Sequence, residues 1–575
     1  MYRVPTDDYA FLLSEYFERD VVAHATDGDL TAGDAVAVIA AAGEFAVEVL
    51  HPLNAVGDRV GAALSDGVVT SPPGYVDAYR RYAEGGWAGT FLPKDIGGEG
   101  VPWTVHGALS ELWSASNAAL SLCAGLSIAA ALALNAAADD EIRDTYLAPI
   151  VAGRWTATMN LTEPQAGTDL ASITTVARPQ ADGTWAVTGQ KIFITWGDHD
   201  LAENIVHLVL ARTPDAPAGL AGLSLFVVPK YLPDDGVPGS RNSITTVSIE
   251  HKLGIHSSPT CVLQYDAAVG RLVGELNGGL AAMFVMMNAS RIGIGVQALG
   301  VADRAFQQAR DYAAQRVQGT VVGRAPGTPI AQHPDVARLL ISMSSRISAF
   351  RALSMQLAVW LDAAQQDDST QARELAEFLV PIFKGWVTEE AVAITSDAVQ
   401  VHGGVGFIEE TGTAQHYRDA RIFPIYEGTT AIQSNDLVGR KMLRDRGRTA
   451  EQFFALIEKD VVELRASSDA VAARTVERLD RALAAARRAT TALVEHAASN
   501  PRNVFAVSVP YLTLCGLLAG GWAHARLLAA QLRRADTDDR RVIEADFYGV
   551  HQLSRVHGLL EIIEAGEVAV GEKLA

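Results

Sequence analysis

The apolar pattern of this chain changes character along its length. Before residue 155 the apolar positions fall in long stretches with few β-branched clusters, such as AVAVIAAAGEFAVEVL and TVHGALSELWSASNAAL. That pattern predicts helices. The Gly- and Pro-rich segment GGWAGTFLPKDIGGEGVPW between them predicts a loop. From Trp155 to about Asp266 the runs are short and β-rich: TTVARPQADGTWAVTGQKIFITW, IVHLVLART, LSLFVVPK, ITTVSIEH and TCVLQYDA. Asp182-Gly183 is a hairpin-turn signal between alternating segments. Strands at this spacing predict a small barrel or sandwich. Helical periodicity returns at Gly279. Further helices are expected over 333–364 and 371–401, with a fourth after the loop ending at Thr430. Beyond the charged stretch RKMLRDRGRTAEQ, Leu479, Leu483, Ala486 and Leu493 mark an amphipathic helix. The expected architecture is mostly α with a central β-barrel. It divides into a helical domain (1–155), a β-barrel (156–270), a four-helix bundle (271–445) and a C-terminal helical extension (446–575).

Two uncharged stretches, 117–138 and 504–523, approach the roughly 20 apolar residues that span a bilayer. Both are diluted by small or polar residues, the second holds Pro510, and neither has flanking basic loops to set an orientation. Buried central helices are expected, and no integral membrane segment. The balance of 49% apolar and 20% charged residues is that of a globular protein. A net charge of −20 lowers the expectation of nucleic-acid binding. Cys123, Cys261 and Cys515 form no CxxC pair. Together with an N-terminus lacking a signal-peptide pattern, they point to a reducing cytoplasm. His251 and His256 have no second ligand at helical or strand spacing, so no metal site is expected.

GIGVQA (293–298) fits the loose dinucleotide fingerprint but lies inside a helical pattern, so it reads as small residues for close helix packing. A stronger signal is a set of four segments in order: MNLTEPQAGTDL (159–170), QKIFITWG (190–197), QVHGGVGF (400–407) and IYEGTTAIQ (425–433). Singly, each reads as a turn or a helix end. Together, on an α–β–α background, they make the chain resemble the acyl-CoA dehydrogenase family over roughly residues 60–440. The long chain and IYEGTTAIQSNDLVGRK resemble its branch with an added C-terminal helical domain, which includes 3-methylmercaptopropionyl-CoA dehydrogenases.

The resemblance implies FAD-dependent α,β-dehydrogenation of an acyl-CoA to the trans-2-enoyl-CoA. Glu427 would take the α-proton and flavin N5 the β-hydride. Burial would raise the pKa of such a base. Relatives bind the thioester carbonyl with the base's own backbone N–H and a flavin ribityl hydroxyl, and Gly428 would leave room for the ligand. Relatives that carry the base on the first bundle helix are excluded by Asn288-Ala289-Ser290-Arg291, which has no carboxylate. Asn288 and Arg291 are candidates for CoA contacts, with local packing as the competing reading. Met159, Leu161, Thr162, Thr168, Phe193, Ile194 and Thr195 match positions around the flavin, and Thr168 also substrate. Phe193 stands where many relatives have Trp, with a core strand position as its alternative.

Arg316 matches an arginine that reaches a partner subunit's FAD pyrophosphate, although the following Phe-Gly of relatives is Gly-Thr here. Gln400, Val401, His402, Gly403 and Gly404 match the segment on the partner's adenosine diphosphate. Thr429 and Gln433 match further FAD contacts, while Ala431 replaces a common Gln. The implied partners are the acyl-CoA, electron-transferring flavoprotein and a second copy in a homodimer. The alternatives are an acyl-CoA oxidase, a flavin monooxygenase on the same scaffold, and a non-catalytic nucleic-acid-binding homologue using Arg481, Arg487 and Arg488. Met283, Met286 and Met287 are either acyl-tail lining or core. Acyl length and branching are left open.

Overall fold

The computed structural model describes residues 2–17, 19–534 and 539–566. The chain packs as two compact units. One comprises Met1–Gly43, Pro102–Ala115 and Ile294–Ala575, the other Glu44–Val101 and Ser116–Gly293.

The second unit is built on the strand-rich segment. A short hairpin, β1 (Ala63–Ser65) and β2 (Val68–Thr70), precedes it. The main sheet uses β3 (Trp155–Asn160), β4 (Val176–Pro179), β5 (Trp185–Thr195), β6 (Asn204–Arg212) and β7 (Leu223–Pro229). After a side hairpin, β8 (Tyr231–Asp234) and β9 (Val237–Arg241), come β10 (Ile244–Ile249) and the long β11 (Thr260–Val273). The order β10-β11-β5-β4-β6-β3, with β7 joining β11 to β6, closes a ring through β11, β5, β4, β6 and β7, so the expected barrel is present. The near-continuous apolar runs NIVHLVLAR and LSLFVVP are β6 and β7, buried along almost their whole length. The hairpin at Asp182-Gly183 joins β4 to β5, with Gly183 at φ +85° and the Thr184 N–H donating to the Asp182 carboxylate.

Inside the barrel runs a polar chain. The Tyr265 hydroxyl donates to Asn160 (2.9 Å), the Asn160 amide to Thr158 (2.8 Å), and Thr158 meets His207 Nδ1 (2.7 Å) across the parallel β3–β6 pair. Burial holds His207 at about 3, so it is neutral at physiological pH. Because Thr158 and Asn160 point inward, Met159 between them points outward.

The other unit is helical. Pro334–Gln366 and Thr370–His402 pack side by side, close to the expected spans. The Gly of GIGVQA at 295 lies within helix Gly279–Gln315, where a Cβ would stand 2.5 Å from the Phe383 ring. Close helix packing is therefore its role. Leu479, Leu483, Ala486 and Leu493 are buried along Ala470–Ser499, as the amphipathic pattern predicts.

Among the described residues, four helices are long and apolar enough to cross a membrane: Ala32–Val60, Trp103–Ala137, Gly279–Gln315 and Ser508–Leu532. The second and fourth correspond to the uncharged stretches. Their most apolar windows are 78% and 89% buried within the protein, which favours core helices over spans.

Candidate active site

In the strand-rich unit, the loop after β3 is fixed by a buried ion pair. Glu163 of the TEP turn meets Lys191 Nζ at 2.9 Å, both side chains essentially excluded from solvent. Glu163 also accepts from the Thr174 and Thr175 N–H groups (2.8 and 3.0 Å), while Lys191 donates to the Leu161 carbonyl (2.8 Å). Burial opposes ionisation of Glu163, but Lys191 and these donors outweigh it and hold the carboxyl at about 2. Burial brings Lys191 down to about 8 despite Glu163. The Ile192 N–H donates to the Thr162 carbonyl at 2.9 Å, so the loop is stitched to β5 from both ends.

On β5 a bulge sets the next feature. Cys261 pairs with Ile194 but Leu263 pairs with Lys191, so β5 carries one residue more than β11 in this stretch. The bulge turns both Lys191 and Ile194 inward and throws Phe193 out, at φ +58° and 58% exposed. A left-handed aromatic costs about 1–3 kcal/mol and persists only where its surroundings fix it. The alternative of a core strand position for Phe193 is therefore wrong. Ile194 corrects the opposite way. Its side chain is 1% exposed within the barrel core, so it makes no side-chain contact with a cofactor. Two residues on, Trp196 is buried, left-handed like Phe193, and donates to the Ala119 carbonyl at 3.0 Å. Thr162, Thr195 and Met159 are half-buried, Leu161 is buried and Thr168 is exposed.

In the same unit Asn288 is exposed, whereas Arg291 is buried, which suits packing better than a CoA contact. Met283 and Met286 are fully buried core residues, and only Met287 is half-exposed.

In the helical unit, described by itself, a loop carries Glu427. This carboxylate is half-buried and its backbone is left-handed, φ +55°, followed by Gly428 at φ +93°. Lys384, fully buried on helix Thr370–His402, donates to the carbonyls of Phe423 (2.9 Å) and Gly428 (2.6 Å). Gln433 donates its amide to the carbonyls of Glu427 and Gly428, both at 3.2 Å. The Tyr426 hydroxyl donates to Gln297, and Thr430 to Glu389 at 2.5 Å. Thr429 caps helix Thr430–Asn435. One expectation changes here. Gln433 is fully buried beneath the Glu427 loop, which does not offer it to a cofactor. A Cβ on Gly428 would stand 2.8 Å from Gln433 Nε2, so this glycine makes room for Gln433 and for its own positive φ.

Helix Thr370–His402 ends at Gly403, φ +64°. His402 is buried and stacked on Tyr312 (4.5 Å between centroids), and Val401 is buried too, so neither side chain is offered to a cofactor. Gln400, Gly403 and Gly404 are exposed, and the two glycines face open space where a Cβ would stand. Phe407 is 82% exposed. Arg316, one residue past helix Gly279–Gln315, is exposed and hydrogen-bonded to the Gln318 side chain.

Each unit by itself offers groups suited to part of a flavin dinucleotide: the half-buried Thr162 and Thr195 and the exposed Phe193 suit the ring, and the exposed Arg316 and Gly403-Gly404 backbone suit phosphate. Sequence reasoning missed Glu163, Lys191, Gln297 and Lys384. The signal for the two lysines was present: each is a lone cation in an apolar run, QKIFIT and LVPIFKGWV.

Comparison with known proteins agrees with this geometry. Models of the acyl-CoA dehydrogenase N-terminal, middle and C-terminal domains match residues 35–154, 158–268 and 277–443. An acetyl-CoA dehydrogenase C-terminal-like model matches 453–572. A 3-methylmercaptopropionyl-CoA dehydrogenase of Ruegeria pomeroyi is 46% identical over 95% of this chain and 94% of its own. A broad-specificity linear acyl-CoA dehydrogenase of Mycobacterium tuberculosis is 33% identical over 86% of each chain. Among solved structures, an acyl-CoA dehydrogenase of Bacillus anthracis complexed with FAD superposes with a TM-score of 0.77 at 21% identity, over 98% of this chain and 92% of that one. Caenorhabditis elegans ACDH-11 in complex with C11-CoA gives 0.75 at 22% identity, over 91% and 88%. By sequence and by fold, this chain belongs to the acyl-CoA dehydrogenase family and carries the additional C-terminal domain found in part of it.

Proposed function

We propose that Glu427 is the base of an FAD-dependent acyl-CoA dehydrogenation. The observation that carries this reading is the conformation of its loop. A carboxylate is held in a left-handed turn while the carbonyls of Glu427 and Gly428 are drawn inward by Gln433 and Lys384. Such preorganisation is what removal of a weakly acidic α-proton needs. Glu427 takes that proton onto its carboxylate, and its backbone N–H stabilises the thioester oxygen as enolate charge develops. FAD supplies the hydride acceptor when bound.

The electrons then pass to electron-transferring flavoprotein, and the enzyme acts in the cytoplasm. Anaerobic acyl-CoA is expected to bleach the purified yellow protein, using 3-methylmercaptopropionyl-CoA and linear acyl-CoAs of graded length. Re-oxidation in air should be slow, with little peroxide. Stoichiometric peroxide without a dye or flavoprotein acceptor would instead identify an oxidase.

The exposed Arg316 and Gly403-Gly404 and the bare Phe407 ring support the reading of a homodimer. Light scattering of the FAD-loaded protein is expected to give twice the chain mass, and a monomeric mass would remove the proposal. The nucleic-acid reading is disfavoured by the arginines it needs. Arg481 pairs with Glu477 (3.7 Å), Arg487 with Glu451 and Glu458 (2.7 and 2.6 Å), and Arg488 with Glu564 (2.7 Å).

A further inference from the structure

We propose that Lys384 is a positioning residue for the base, and that together with Gln433 it sets the conformation in which Glu427 can act. The inference rests on the reading of Glu427 as the base.

Lys384 lies mid-helix with no exposed surface. Its ammonium spans the loop, 2.9 Å from the Phe423 carbonyl on one side of Glu427 and 2.6 Å from the Gly428 carbonyl on the other. An ammonium suits this task, because it is a compact charge with three donors that can be shared between divergent acceptors. Bonds from an ionised donor are also stronger than neutral ones. Gln433, equally buried, takes the carbonyl of Glu427 itself and shares that of Gly428.

Together the two side chains engage the carbonyls of Phe423, Glu427 and Gly428. A glutamate at φ +55° has no intrinsic reason to stay there. Released from these anchors, the residue relaxes toward negative φ, which rotates Cβ and swings the carboxylate off its line. Gln297 accepts from the Tyr426 hydroxyl and holds the preceding residue. Lys384 and Gln433 anchor the Glu427 and Gly428 carbonyls.

The test uses the full-length, FAD-loaded enzyme and an acyl-CoA that the wild type turns over. Lys384→Met is expected to retain FAD and to lose about 10²-fold in kcat, the order expected of a misplacement near 1 Å. KM should change by less than about threefold, because the lost alignment matters in the transition state and not in ground-state binding. The isotope effect on kcat/KM with an α-deuterated substrate should rise, since proton removal becomes the slower step. A purely structural lysine would change FAD content or thermal stability and leave turnover per bound FAD and the isotope effect unchanged, which would overturn the proposal.

If Lys384→Met yields no flavoprotein, Gln433→Met decides in its place. A fall of about tenfold in kcat at similar KM supports the anchoring, and wild-type turnover overturns it. Glu427→Gln is assayed in parallel. Full turnover in that variant would sink the base assignment itself, whereas an inactive Glu427→Gln beside a fully active Lys384→Met would sink only the positioning role.

Discussion

Glu427→Gln is expected to give a folded, yellow, FAD-loaded protein that acyl-CoA no longer bleaches. The substitution keeps the size of the side chain and replaces an acceptor-only carboxylate with an amide of negligible basicity. The Glu427 carbonyl is held by Gln433 through the main chain, which the change does not touch. The loop should therefore keep its left-handed turn, and only the proton acceptor is lost. Positioned general bases contribute typically 10²–10⁴-fold. Here no second carboxylate stands at 288–291 to substitute, so a loss at or beyond the top of that range is expected. Stopped-flow absorbance with excess acyl-CoA measures it directly. Bleaching within about tenfold of the wild-type rate would remove Glu427 from this role, since a factor of ten lies below what a general base supplies.

Lys191→Met is expected to have the largest effect on stability. It leaves the Glu163 carboxylate enclosed in protein without its cation, and breaking a buried pair in this way typically costs about 3–5 kcal/mol. The N–H donors of Thr174 and Thr175 remain and will offset part of that. The damage should appear first in the loop carrying Leu161, Thr162 and Thr168, because Lys191 also holds the Leu161 carbonyl. Reduced FAD content and a lower thermal midpoint are therefore expected together.

The double variant Glu163→Leu with Lys191→Met should recover much of the midpoint, because an apolar pair leaves no buried charge. A single variant as stable and as yellow as the wild type would refute the pinning role. The pair also sets a pH dependence. Glu163 has a folded pKa of about 2, below its ordinary value of 4.5, so its contribution is complete above about 4.5. As pH falls through about 2 that contribution is lost.

The division into helices, barrel strands and a helical C-terminal segment was legible because each rests on local pattern. Alternation and near-continuous β-branched runs gave β5, β6 and β7, and Asp182-Gly183 gave the hairpin. The positions of Glu427 and of Thr162, Thr168 and Thr195 were legible as candidates through short segments whose order matched a family. Side-chain direction was not. Ile194 and His402 were read as cofactor contacts because they sit inside matching segments, yet both are buried. Gln433 was assigned to FAD by the same logic and serves the loop beneath Glu427 instead.

The sequence alone determined which segments are helix and strand and where the turns fall. These depend on residues a few positions apart, where periodicity and turn chemistry act. The tertiary structure decided which way the residues face. A one-residue bulge against β11 turns Phe193 outward and Lys191 inward. Lys384 reaches carbonyls 39 and 44 residues further along the chain. Neither fact has a local signature, because sheet register and a buried donor's choice of acceptor are fixed only when distant segments pack and every enclosed polar group must find a partner.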